Sequence, residues 1–312
     1  MPVGMSDPIK GILAIIIACV VWGLSPLFYN LLSHVPPGEV LAHRTLWSTV
    51  LFGGVLAVQG RLSHLWACFR DRKTVLILMT ASLMIACNWL LFIISVQVGK
   101  VVESSFGYYV FPLVAVVLGR IVFKEHLSKP QKFCVALAAL AVVFLGFGLG
   151  VTPWIALTLA VTFGTYSMLK KLLTLGPVVS VTAEVLILAP IATLWLLGLA
   201  NGWWQEGDRT PAITQMDIST TGLLILSGPL TAIPLILFSF AAKRIALSTV
   251  GLVQYLNPTL QFACAVVVFG EVFTSWHAAA FALIWVAVAI YSYTSIQSEN
   301  RARKRRNASS AV

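Results

Sequence analysis

From Lys10 to about residue 296 the chain is a succession of apolar runs of roughly twenty residues, each closed by turn residues or a knot of charge. A helix needs about 20 residues to cross about 30 Å of hydrocarbon, so each run is long enough to span a bilayer. Composition agrees: 59% of residues are hydrophobic, 10% are charged, and the mean hydropathy is +0.91. A soluble domain carries about 25% charged residues, so this chain lacks the polar material to coat a water-facing globule. A cytosolic enzyme, a disordered protein and a secreted disulfide scaffold are excluded together. The surplus apolar surface faces lipid.

Scanning gives ten spans, at about 10–32, 39–59, 74–96, 101–123, 131–149, 153–174, 178–199, 219–241, 247–269 and 276–296. They are separated by turn or charge signals such as Pro36-Pro37-Gly38, Arg70-Asp71-Arg72-Lys73, Gly176-Pro177 and Lys243-Arg244. The first run starts like a signal peptide at Lys10, but it continues through Pro26 to about Leu32 with no A-x-A-like cleavage site, so it reads as a membrane helix. Alternate connections segregate the basic residues: 18 of the 21 Lys and Arg fall on one side, Lys100 and Arg209 on the other, and Arg44 within a span. The expected fold is therefore an all-α polytopic membrane protein with ten transmembrane helices and both termini in the cytoplasm. The tail cluster Arg301, Arg303, Lys304, Arg305 and Arg306 reads as an orientation signal against anionic lipid, with no nucleic-acid partner. In the long outer connection from Ala200 to Ser219, Trp203 and Trp204 read as headgroup anchors, with an outer gate as the alternative.

The two halves repeat. Tyr109-x-x-Pro112, Glu125 and Ser128 recur as Tyr255-x-x-Pro258, Glu271 and Thr274, each offset by 146 residues. Trp22-Gly23 is echoed by Phe163-Gly164, and Pro37 by Pro177, at offsets of 141 and 140. Each half holds five spans, an odd number, so two similar halves must lie in the membrane in opposite senses. Residues 9–149 and 153–297 are then two inverted five-helix repeats, with 298–312 a basic cytoplasmic tail. Inverted repeats are the architecture of many secondary transporters, with a site near mid-membrane between halves that rock.

Trp22-Gly23, His43-Arg44, Tyr-Val-Phe-Pro and Glu-x-x-Ser resemble the EamA-type permeases of the drug/metabolite transporter superfamily, most closely the RarD branch of chloramphenicol-sensitivity proteins. The resemblance spans about 9 to 297 and implies a bacterial inner-membrane exporter or permease for small metabolites or drugs. Glu184 stands in span seven where span two has Arg44, so the two halves do not build a strictly symmetric site.

Several residues are candidates for contact with a small-molecule substrate. Arg44 lies about 9 Å inside span two and Glu184 about as deep in span seven from the opposite face, which leaves about 12 Å between them and argues against a direct ion pair. Arg44 either snorkels to the interface or lines a cavity; Glu184 is either a working acid, with proton coupling, or a satisfied carboxyl. His43 reads as an interface residue. Pro112 and Pro258 are hinge candidates, because each frees a backbone carbonyl. Tyr109 and Tyr255, with Ser105 and Gly251 one turn earlier, read as matched cavity walls or as packing beside the kinks. Gln254, Asn257, Asn88 and Trp89 add neutral hydrogen-bonding capacity, and Trp22, Ser25 and Tyr29 share a stripe of span one. Glu125 and Glu271 read as structural, next to the N-cap candidates Ser128 and Thr274. Neutral and aromatic side chains favour amphipathic or zwitterionic cargo over polyanions.

No G-x-S-x-G, H-E-x-x-H, P-loop or Cys/His cluster occurs, which argues against a membrane enzyme, a metal site and a cofactor. A structural or signalling membrane protein is the other reading. A homodimer stays open as the assembly state.

Overall fold

The computed structural model describes residues 7–124, 128–149, 153–215, 217–242, 244–245 and 253–309. Among them every regular element is helical. The helices are α1 (Asp7–Gly23), α2 (Ser25–Leu31), α3 (Pro37–Val58), α4 (Leu62–Cys68), α5 (Arg72–Gln97), α6 (Val101–Phe123), α7 (Lys129–Leu149), α8 (Trp154–Leu172), α9 (Pro177–Ala200), α10 (Ile218–Ala242), α11 (Leu256–Ala263) and α12 (Ser275–Ser309). Eight stretches are long and apolar enough to cross a membrane: Ile9–Leu31, Pro37–Val58, Arg72–Gln97, Val101–Val122, Lys129–Gly148, Pro177–Ala200, Ile218–Phe238 and Ser275–Thr294. Of the other two expected spans, 153–174 forms α8, whose polar Gly164–Ser167 run and terminal lysines lower its hydropathy. The span at 247–269 is described only from residue 253. Glu125 and Gly251 lie outside the described residues.

Four local features depart from the expected spans. The first span is broken at Leu24, because Pro26 has no N–H to give the Trp22 carbonyl; the Ser25 hydroxyl donates to that oxygen instead, at 2.6 Å. The connection after α3 carries a short helix, α4, whose Leu65 and Cys68 pack with Val179 and Ala183 of α9. The last helix runs on to Ser309, since no Gly or Pro interrupts 275–309. At the end of α11 the chain widens into a π-turn, Cys264–Val268.

The helices pack as α3 against α9 and α10, α1 against α10 and α11, α5 and α6 against α8, α6 against α11, and α7 against α12. Small residues set the closest crossings. A Cβ at Gly23 would lie 2.6 Å from the Leu260 side chain, and one at Gly107 would lie 2.7 Å from the Ala156 carbonyl oxygen. Large hydrophobic residues such as Val58, Phe147 and Ile218 stay exposed on outward faces, the arrangement lipid contact requires.

One end of the bundle is laced together by carboxylates. Helix N-termini present N–H groups that hydrocarbon cannot satisfy. Glu271 accepts from Val101 N at 2.7 Å and Val102 N at 2.8 Å, at the start of α6. Glu103 accepts from Ile155 N of α8 at 3.1 Å, and Glu206 from Gly38 N of α3 at 2.7 Å. Glu39 accepts from Ala212 N and Ile213 N, which fixes the long connection before α10. Arg209 donates to Gln97 and to the Val35 carbonyl. At the opposite end Asp71 caps α5, and the Thr74 hydroxyl and backbone N–H hold its carboxyl below the usual carboxylate range.

Ser128 and Thr274 stand at the starts of α7 and α12, each in a reciprocal cap: Ser128 with Gln131, Thr274 with His277. Glu271 caps a different helix from the one it precedes. Replacing Glu271 by Ala is expected to destabilise the folded protein by about 2 kcal/mol, and Glu271→Gln by roughly half that, because an amide keeps one acceptor oxygen. Denaturant unfolding in detergent micelles reads the difference; an alanine variant as stable as the parent would remove the cap from the fold's energetics.

Candidate functional site

Arg44 is carried into the bundle by α3 and is 6% exposed. It does not snorkel. Its guanidinium carbon lies 4.2 Å over the ring of Trp89 on α5 and 5.6 Å from the ring of Tyr29 on α2. Its Nε is buried with no hydrogen-bond partner, and no carboxylate among the described residues lies within ion-pair distance. His43, on the next face of α3, sits 4.0 Å from Glu39.

Asn88, beside Trp89, is fully engaged. Its amide nitrogen donates to the Leu159 carbonyl and to Thr162 Oγ1, both at 3.0 Å, and its oxygen accepts from Tyr108 Oη at 2.9 Å. It therefore joins α5, α6 and α8 at one point. Past it runs a row of aromatic rings: Tyr29 to Phe92, Phe92 to Tyr108, Tyr108 to Phe163, and Phe163 to Tyr166, with neighbouring centroids 5.9–6.0 Å apart. The row ends at Glu184. There Oε2 accepts from Tyr166 Oη at 2.9 Å, and Oε1 accepts from Lys170 Nζ at 2.6 Å and Ser180 Oγ at 3.0 Å. Both carboxylate oxygens are occupied, and Arg44 is not among the partners.

Tyr109 and Tyr255 meet face to face, with centroids 6.2 Å apart and planes 12° from parallel. At that separation no molecule fits between the two rings in this structure. Tyr109 Oη shares a 2.5 Å hydrogen bond with Thr259 Oγ1, and Phe281 and Trp285 close around its ring. The Tyr255 hydroxyl is buried without a partner. Asn257 accepts from Gln261 on its own helix at 2.9 Å, Trp22 lies 6.3 Å from Phe238, and the Ser25 hydroxyl is held by the Trp22 carbonyl. Gln254 is half-buried. Pro112 lies inside α6 just beyond Tyr109, and Pro258 lies near the start of α11.

The candidates thus form two groups. Arg44, Trp89, Tyr29 and Asn88 gather at one end of the aromatic row, with Glu184 at the other. Tyr109 and Tyr255 stack apart from them, beside Asn257. Sequence reasoning missed Tyr108, Thr162, Phe163, Tyr166, Lys170 and Gln261. One signal was present: Lys170 and Glu184 each lie seven residues from Pro177, so an antiparallel helical hairpin turning there sets them opposite each other. Among the described residues no cluster suits a metal ion, and the five cysteines are free thiols. Two apolar hollows of about 410 and 420 Å³ lie along α3 at Val50–Gln59 and along α10 at Ile218–Ile225, away from this chemistry.

The Lys170–Glu184 pair makes a direct prediction. Lys170→Met strands a nearly buried carboxylate and is expected to destabilise the protein by about 3 kcal/mol, less than the largest values because Lys170 is 22% exposed. Adding Glu184→Gln should recover most of that loss. Unfolding of both single variants and the double variant checks it; a double-variant loss equal to the sum of the two single losses would show that the pair is not coupled.

Comparison with known proteins places this geometry in a family. Residues 9–147 match the EamA-like transporter family. An uncharacterized transporter of Vibrio cholerae is 38% identical over 305 residues, covering 96% of this chain and 97% of that protein. An uncharacterized transporter of Pseudomonas aeruginosa is 37% identical, covering 91% and 93%. The protein RarD of Escherichia coli K12 is 33% identical over 295 residues, covering 95% and 98%. A crystal structure 17% identical to this chain shares the fold, with a TM-score of 0.58 over 93% of this chain and 98% of that one. The chain belongs to the EamA-like transporter family, as a multi-pass membrane transporter related to the proteins named RarD.

Proposed function

We propose that the protein is a secondary transporter, an exporter of small metabolites or drug-like molecules, working by alternating access in a bacterial inner membrane with both termini in the cytoplasm. Its ten spans form two inverted repeats, residues 9–149 and 153–297. The observation that carries this reading is a pair of exchanged contacts. Gly23 of α1 seats Leu260 of α11, and Gly164 of α8 seats Val114 of α6. The glycines are 141 residues apart and their partners 146, the offsets of the repeat itself. Such a pairing arises when each half embraces the other about a two-fold axis in the membrane plane.

The stacked tyrosines support the same axis. Tyr109 and Tyr255 are counterparts in the repeat, 146 residues apart, and their rings lie 6.2 Å apart with planes 12° from parallel. In this reading cargo travels along the aromatic row, bounded by Arg44, Trp89, Asn88 and Tyr108 from the first half and by Phe163 and Tyr166 from the second. Trp22, Ser25, Gln254 and Asn257 shape the α1–α11 seam, and Pro112 and Pro258 are the hinges. Glu184, with both oxygens engaged, serves as a tie between α8 and α9 and not as a proton carrier. The carboxylate-laced end is the closed gate.

Purified protein in liposomes is expected to give saturable, gradient-driven flux for members of a metabolite panel. In a background without native cysteines, a disulfide between Val102→Cys and Glu271→Cys should stop that flux, and reductant should restore it. Flux that persists through the crosslink would sink alternating access, and no saturable flux for any compound would favour a structural or signalling role. Glu184→Gln is expected to leave any dependence on the proton gradient unchanged.

A further inference from the structure

A guanidinium buried within the membrane-spanning helices is costly unless something compensates its charge. Of the charged groups beside the aromatic row, Lys170 and Glu184 already neutralise each other at 2.6 Å. Arg44 has no such counterpart. The Trp89 face shields it at 4.2 Å and the Tyr29 ring stands at 5.6 Å. Cation–π contact engages the flat face of a guanidinium and leaves its N–H edges directed outward. One of those edge groups, Nε, is buried without a partner. Neutral groups on the same helices do not supply an anion's charge: the Asn88 oxygen accepts from Tyr108 and the Thr45 hydroxyl donates to the Leu41 carbonyl, and neither accepts from Arg44.

We infer that Arg44 is a recognition point for a single negative charge on the cargo, a carboxylate joined to an apolar or aromatic body. This rests on the reading that the aromatic row bounds the transport path, and it adds the charge class of what passes. A guanidinium edge matches a carboxylate in a planar, two-point contact. One uncompensated cation fits one anionic group, repels cationic molecules, and offers a polyanion nothing for its second charge. The rings of Tyr108 and Phe163, beginning beyond Asn88, supply the surface for the body of such a molecule. The cation–π box explains how the charge persists between cargoes: aromatic faces hold it without quenching it.

The test uses four probes on the full-length protein in detergent: phenylacetate, its neutral amide phenylacetamide, the cation phenethylamine, and chloride, with binding followed by tryptophan fluorescence. Phenylacetate is expected to bind about tenfold or more tightly than the amide, with the amine and chloride weakest. Arg44→Gln should abolish the preference for acid over amide while leaving the amide's own affinity in place. Arg44→Lys should retain part of the preference, since it keeps the charge but loses the planar fork. Size-exclusion profiles and melting curves establish that the variants are folded; if Arg44→Gln does not fold, the acid–amide ratios of the parent and of Arg44→Lys decide. Equal binding of acid and amide in the parent, an undiminished preference in Arg44→Gln, or chloride binding as well as phenylacetate overturns the inference while the transport path stands. Failure of every probe to bind, the amide included, overturns the inference and the aromatic path together.

Discussion

A backbone N–H at a helix start has no water to turn to inside a bilayer, and this constraint organises the whole of one end of the molecule. Glu271, Glu103, Glu206 and Glu39 each reach a helix or turn remote in sequence and close its exposed amides. Negative charge at a helix N-terminus also meets the positive end of the helix dipole, so the same contact serves twice. The result is a sheet of hydrogen bonds joining connections that would otherwise be independent loops. Each glutamate comes from one element and its amides from another, so the contacts tie separate elements together.

The opposite end is built differently. There α4 tucks Leu65 and Cys68 against Val179 and Ala183, and the contact is apolar. Between the two ends lies the aromatic row, terminated by an unpaired cation at Arg44 and a neutralised pair at Lys170 and Glu184. Hydrogen bonds to carboxylates depend on geometry, whereas apolar contact is non-directional. The two ends are thus held by contacts of different kinds.

Much of this was legible in the chain, and the rest was hidden for physical reasons. Apolar run length announces a crossing helix, and Pro112 and Pro258 announce freed backbone carbonyls, whereas the break that Pro26 imposes on the first span was not foreseen. The repeat offset announced that Gly23 and Gly164 are counterparts, but not that Leu260 and Val114 would be their seats. Arg44 could be placed in depth but not in direction, since the side chain is long enough to face lipid, water or protein; only the packing of α5 puts Trp89 beneath it. The partners of Glu271 lie some 170 residues away, and nothing local to either segment reports the pairing. Tyr108 was overlooked beside the repeated Tyr109, although it is the one that holds Asn88 and continues the aromatic row.

The break between α1 and α2 has a mechanical consequence. The carbonyl that Pro26 abandons is held by the Ser25 hydroxyl, a donor that swivels about a single bond, where a peptide N–H is fixed in its plane. The joint can change its angle without leaving an oxygen bare in oil, provided one side chain turns with it. Gly23, immediately before the joint, carries the Leu260 seat, so flexing the first helix tugs directly on a segment that the chain reaches more than two hundred residues later.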